Sequence, residues 1–156
     1  MKTLILWLAT VLVFGVSAGL VAQKEYVIHN GRTVLLRLAP RDPRSLMQGD
    51  YMVLNNELSR MFSPIKTDGY VVLKVDEKGM GTFVREHAGE ALAAGEQLLR
   101  YRKRAQARFG AESFFFEEGK GNEYAQARFG ELKVSASGES VLVGLRDEQL
   151  RPLGRK

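Results

Sequence analysis

The 156-residue chain contains no cysteine. That excludes disulfides, thiolate metal sites and cysteine nucleophiles together, while leaving the compartment open. Histidine is nearly as scarce. His29 and His87 are the only two, far apart and without a ligand-spaced partner. A zinc centre needs three or four converging ligands, so each reads as a surface residue and no metal is expected. A phosphate loop is missing as well. "EEGKGNE", Glu117 to Glu123, has a Gly-Lys-Gly but not the Gly–four residues–Gly-Lys-Ser/Thr spacing that cradles a phosphate. It reads as a charged turn before a helix, and no cofactor is expected. There is no working repeat either. "AQARFG" occurs at Ala105 and again at Ala125, but the following "AESFFF" and "ELKVSA" share little. Two copies do not make a solenoid.

Charge is absent from one long stretch, "LILWLATVLVFGVSAGLVA", Leu4 to Ala22, nineteen residues in all. At about 1.5 Å per residue it reaches roughly 28 Å, close to the thickness of a bilayer core. Trp7 and Phe14 suit a resident span. Only Lys2 and the amino terminus precede it, and those charges are expected to stay in the cytoplasm. "VSA" ending at Ala18 and "LVA" ending at Ala22 also offer the small residues of a signal-peptide cleavage site. An uncleaved anchor and a cleaved signal are therefore both open. Both place residues 24–156 outside the membrane, as one domain behind an anchor of residues 1–23. DNA and RNA are then not expected as partners.

The rest has ordinary globular composition, with 45% hydrophobic and 26% charged residues. The net charge is +5. Basic residues concentrate in "RYRKRAQAR", Arg100 to Arg108. In an exported domain this run fits a solvated strand face, or contact with lipid head groups or an acidic protein surface. Tyr26–Ile28 and "TVLLRL" flank an "NGR" turn signal and read as a hairpin. "YVVLKVD" and "MGTFVRE" flank "EKG", and "ELKVSASGESVLVGL" turns at "SASGES"; these are two more hairpins. "HAGEALAAGE" reads as a loop or short helix. Residues 97–107 fit a helix by propensity and a strand by alternation, with Leu99, Tyr101 and Lys103 on one side. "NEYAQARFG" reads as a short helix, capped by Asn122 and ended by Gly130. Phe114, Phe115 and Phe116 cannot all face one side of a strand. The strand is expected to be covered on both faces; otherwise Phe115 is a surface docking point. The sum is a mainly β, β-rich α+β domain with one N-terminal transmembrane helix and one short helix near the C-terminal third.

"PRDPRSLMQGDYMVLNNEL", followed about sixty residues later by "RFGAESFFFEEGKGNEYAQA", resembles the bacterial GDYXXLXY proteins. Gly49, Asp50, Tyr51 and Leu54 match the motif, whose final Tyr is Asn56 here. Asp42 and Pro43 upstream, and Glu118, Gly119, Lys120 and Gly121 downstream, also fit. The resemblance implies a membrane-anchored extracytoplasmic protein, of a kind often encoded beside multi-pass membrane proteins, and brings no mechanism with it. Read from the residues alone, the first stretch is a structural corner. Pro43 fixes φ, Gly49 permits positive φ, Asp50 accepts backbone bonds and Tyr51 starts a strand.

"SLMQGDYMVL" also resembles the box of type I signal peptidases. Aligned on Gly49-Asp50, however, the nucleophile position falls on Arg41, which is neither nucleophile nor base. The expected function is therefore non-enzymatic docking to a membrane or envelope protein partner, at a bacterial inner membrane with the C-terminal domain facing the periplasm or outside. Phe115, Arg100, Arg102 and Arg104 are the candidate docking residues. The alternative is a divergent serine hydrolase pairing Ser45 with Lys66 or Lys74.

Overall fold

The structure is a computed structural model that describes residues 2–39, 47–48, 51–54, 56–61, 67–104 and 107–154. It opens with a helix, α1, Lys2–Asn30. This helix is long and apolar enough to cross a membrane, and its most apolar window is not buried at all within the protein.

The helix overturns the first expected hairpin. Tyr26–Ile28 is not a strand, and "NGR" is not a hairpin turn, because α1 runs on to Asn30. Extending an established helix gains one hydrogen bond per residue fixed, and that outweighs a modest β propensity. The helical register also buries Val27 against the domain while leaving Tyr26 at the surface. Gly31 closes α1 by donating its N–H to the Val27 carbonyl at 2.8 Å. β1, Arg32–Arg37, starts at the next residue. The expected boundary between residues 23 and 24 thus falls inside a continuous helix.

The described strands form three antiparallel sheets. In the first, β1 pairs with β8, Phe129–Val134, which pairs with β9, Ser140–Arg146. In the second, β4, Gly69–Val75, is flanked by β5, Gly81–Glu86, and β6, Glu96–Tyr101. In the third, β3, Tyr51–Val53, lies between β2, Met47–Gln48, and β7, Ser113–Phe115. Short helices α2, Glu57–Met61, and α3, Gly121–Tyr124, complete the described elements. This is a β-rich α+β fold with an N-terminal helix, as expected.

Two expected hairpins are present. β4 and β5 meet at Asp76–Gly79, where Asp76 Oδ1 accepts the N–H groups of Lys78 and Met80 at 2.9 and 2.8 Å. β8 and β9 meet at the serine-rich turn, where Gly138 has φ +86° and a side chain would press against Tyr70, Leu98 and the backbone of Arg100. Only glycine combines that backbone with that closeness. The turn also ties the sheets together, because Arg100 donates its N–H to the Gly138 carbonyl at 2.9 Å. A second tie joins Leu35 N–H to the Gly79 carbonyl at 2.8 Å. Between these two sheets lies the main core, built on Val34, Leu36, Val71, Leu73, Leu99, Phe109 and Leu132.

Alternation decides the ambiguous segment. Gln97, Leu99 and Tyr101 are buried, and the residues between them are half-buried. It is a strand, but the regular strand ends at Tyr101. Lys103 and Arg104 are exposed beyond it. "HAGEALAAGE" lies in the connection between β5 and β6 and contains no helix. The helix expected from Asn122 to Gly130 shrinks to four residues. Asn122 lies inside it and does not cap it; Lys120 holds the cap position without a side-chain cap bond. Gly130 terminates nothing, since β8 claims it opposite Leu36. Sheet pairing and burial of Phe129 win over local helix propensity there.

Candidate functional site

The two stretches that carry the motif meet in space. β3 pairs with β7 through Tyr51–Phe115, Met52–Phe114 and Val53–Ser113. Leu54 extends the ladder by donating to the Glu112 carbonyl at 2.7 Å. Leu54 is then buried in a second cluster with Met52, Tyr124 and Leu145. The Glu118-Gly119-Lys120-Gly121 stretch serves the same cluster. It turns the chain with Gly119 at φ +82°, and leads into α3, which seats Tyr124. The Tyr124 ring packs between Phe114 and Phe116, at centroid distances of 5.2 and 5.1 Å. Lys120 and Glu117 pair across the turn at 2.5 Å. The Lys120 hydrogen bond holds the Glu117 carboxyl below its usual range, and the same bond raises the Lys120 ammonium. Gln48 pairs with Tyr51 across β2 and β3; Gly49 and Asp50, between them, lie outside the described residues. So do Asp42 and Pro43, and so do Ser45 and Lys66. Lys74 donates to the Ala94 carbonyl at 2.9 Å.

The phenylalanine triplet divides. Phe114 and Phe116 are half-buried over Tyr124, whereas Phe115 is 75% exposed. The expected strand with both faces covered is therefore incorrect. β7 is short, and on the side away from Tyr124 the Phe115 ring is largely exposed. A shallow recess of about 410 Å³ adjoins Phe115, bordered by Phe116, Lys120, Tyr124 and Gly154. His87 is half-buried rather than a plain surface residue, edge-on to Tyr70 at 6.4 Å. His29 is exposed on α1, 3.5 Å from Glu25. Among the described residues no group of histidine and carboxylate side chains could hold a metal ion.

A larger cleft, about 500 Å³, lies where α1 meets the domain. Lys24 of α1 lines it together with Arg100, Arg102, Arg104 and Arg108. Its carboxylates are Glu112 and Glu139. Both carboxylates are engaged. Glu139 hydrogen-bonds the Arg100 guanidinium and lies 3.7 Å from Lys24 Nζ. The Arg100 hydrogen bond holds the Glu139 carboxyl below its usual range and raises Arg100 in return. Glu112 accepts the N–H groups of Phe109 and Gly110 at 2.6 and 3.1 Å. Ser140 Oγ donates to the Phe109 carbonyl at 2.6 Å, fixing the floor. The basic run was visible in the sequence. Lys24 and Glu139 were missed as its neighbours, because only the tertiary fold brings the end of α1 and the β8–β9 turn to it.

The arrangement is that of a small antiparallel β domain mounted directly on an apolar helix, with a strongly basic cleft at the junction. The family model of the GDYXXLXY protein matches residues 13–145, and the chain belongs to that family. No curated protein and no solved structure matches it.

Proposed function

We propose that the chain is a single-pass, membrane-anchored docking module without enzymatic activity. Lys2 is cytoplasmic, the domain faces outward from a bacterial inner membrane, and its partner is a multi-pass membrane protein. The observation that carries this is the continuity of α1. The helix leaves its apolar stretch, buries Val27 against the domain and hands over to β1 through Gly31 alone. Such a junction fixes the height and facing of the domain above the bilayer, which suits recognition of a partner held in the same membrane. The apolar window is fully exposed in the protein, so it is no core helix and a bilayer gives it cover. Lys24, Arg32 and Arg37 follow the span, yet basic residues in a long C-terminal domain weigh little in orientation. Phe115, exposed on β7, is the contact residue of this reading.

The test uses the absence of native cysteine. Lys78→Cys places one thiol in the exposed β4–β5 turn. In spheroplasts it should react with a membrane-impermeant maleimide, and the chain should keep its N-terminal residues. Next, a photo-crosslinking residue at position 115 should capture a multi-pass membrane protein in native membranes. A protected thiol would overturn the topology. Crosslinks to lipid alone would overturn the docking role of Phe115.

A further inference from the structure

We propose that the junctional cleft binds the phosphate-bearing head group of an anionic phospholipid, in the leaflet from which α1 emerges. The first support is depth. Ala22 ends the uncharged run and Lys24 is two residues later on the same helix. That is about 3 Å further along the axis, inside a head-group layer roughly 5–8 Å thick. Because Lys24 lines the cleft, the cleft opens at that level.

The second support is uncompensated charge. Glu139 is taken by Arg100 and Lys24, and Glu112 by two backbone N–H groups. Arg102, Arg104 and Arg108 make no ion pair among the described residues. A phosphate oxygen is the acceptor that a guanidinium fork matches best.

The third support is a cross-strand pair that costs stability in the absence of an anion. Arg102 and Arg108 exchange both backbone hydrogen bonds, at 2.8 and 3.0 Å, as directly opposed antiparallel partners. Side chains of such a pair leave the same face about 5 Å apart, and like charges placed so repel. An anion between the two guanidinium groups turns that repulsion into a two-armed clamp. The fold keeps this pair beside Lys24, where lipid phosphate is the most concentrated anion. The lipid site does not depend on the protein partner proposed above.

The test uses the full chain in nanodiscs of phosphatidylcholine mixed with phosphatidylglycerol, released and weighed by native mass spectrometry. Wild type should retain phosphatidylglycerol in preference to phosphatidylcholine, and added inorganic phosphate should not displace it. Arg102→Gln with Arg108→Gln should cut that preference by about tenfold or more, as expected for losing charge-assisted bonds. The same double variant should melt no lower than wild type in detergent, since it removes a repulsive pair. Arg102→Lys with Arg108→Lys should keep part of the preference. Equal retention of the two lipids by wild type would overturn the proposal. So would displacement by inorganic phosphate, which would mark a soluble-anion site. Unchanged lipid retention in the Gln variant with loss of a protein crosslink would also overturn it, and would reassign the cleft to an acidic protein surface.

Discussion

Gly31 donates its N–H to the Val27 carbonyl at 2.8 Å, and a methyl group on Gly31 would stand 2.4 Å from that same oxygen. The methyl would also meet the Val134 N–H nitrogen at 3.0 Å. All of these neighbours are backbone, so nothing flexible can yield. Here α1 ends and the chain enters β1 without a linker, and glycine is what allows the two to approach.

Gly31→Ala should therefore destabilise the protein by roughly 1–3 kcal/mol, the usual cost of overpacking. Denaturant melts of the full chain in detergent check it. An unchanged midpoint would show that the junction yields, and would remove the rigid mounting on which the docking proposal rests.

Phe109 and Phe115 separate stability from docking. Phe109 is 1% exposed in the main core, edge-on to Tyr101 at 6.1 Å. Phe109→Ala should cost about 3–5 kcal/mol. Phe115 is 75% exposed. Phe115→Ser should shift stability by no more than about 0.5 kcal/mol, yet abolish capture of the partner by a crosslinker placed in the neighbouring recess. A large loss of stability in Phe115→Ser would assign that ring to the fold instead.

The sequence made the local hairpins legible because their turns carry their own chemistry. "EKG" follows an aspartate that accepts two backbone N–H groups, and "SASGES" contains the glycine that its positive φ requires. It misled at Tyr26–Ile28 because aromatic and β-branched residues beside "NG" are a genuine hairpin signal. Only the helix already formed upstream and the burial of Val27 outvote it. Asn122 to Gly130 failed for a related reason: the pairing of Phe129 and Gly130 with β1 is non-local, so no window of nine residues contains it. The candidate cleft was half legible. Four arginines from one run could be named in advance as basic. That Glu139 takes its hydrogen-bonded ion pair from Arg100, and that Lys24 joins from α1, depends on contacts across the whole fold.

Acid should weaken the second sheet. Arg85 on β5 grips Glu96 on β6 with two hydrogen bonds, at 2.6 and 3.0 Å, across β4. That grip, with the Ala93 N–H at 2.8 Å, pushes the Glu96 carboxyl from 4.5 down to about 2. A carboxyl depressed by folding adds stability that is complete above its unfolded value. This contribution is lost as pH falls from about 4.5 towards 2. Melting temperature should therefore drop through that window in wild type, and drop less in Glu96→Gln. Parallel pH profiles for the two proteins would show that the pair contributes nothing.

Asn56 occupies the position of the motif's closing tyrosine and is 1% exposed, yet among the described residues neither atom of its side-chain amide has a hydrogen-bond partner. It faces Leu38 across an isolated bridge and precedes α2, whose Leu58 is also buried. A buried amide without partners costs roughly 1–3 kcal/mol, whereas an apolar group of similar shape costs nothing of the kind. Asn56→Leu should thus stabilise the protein by about 1 kcal/mol after some loss to added volume. Asn56→Asp should do the opposite, and more strongly as pH rises, because ionising an unpaired buried carboxyl is far costlier than burying an amide. Melting curves of both variants at two pH values check the pair. A destabilised Asn56→Leu together with a tolerated Asn56→Asp would mean that the amide finds a polar partner in solution, and that its burial is a satisfied one.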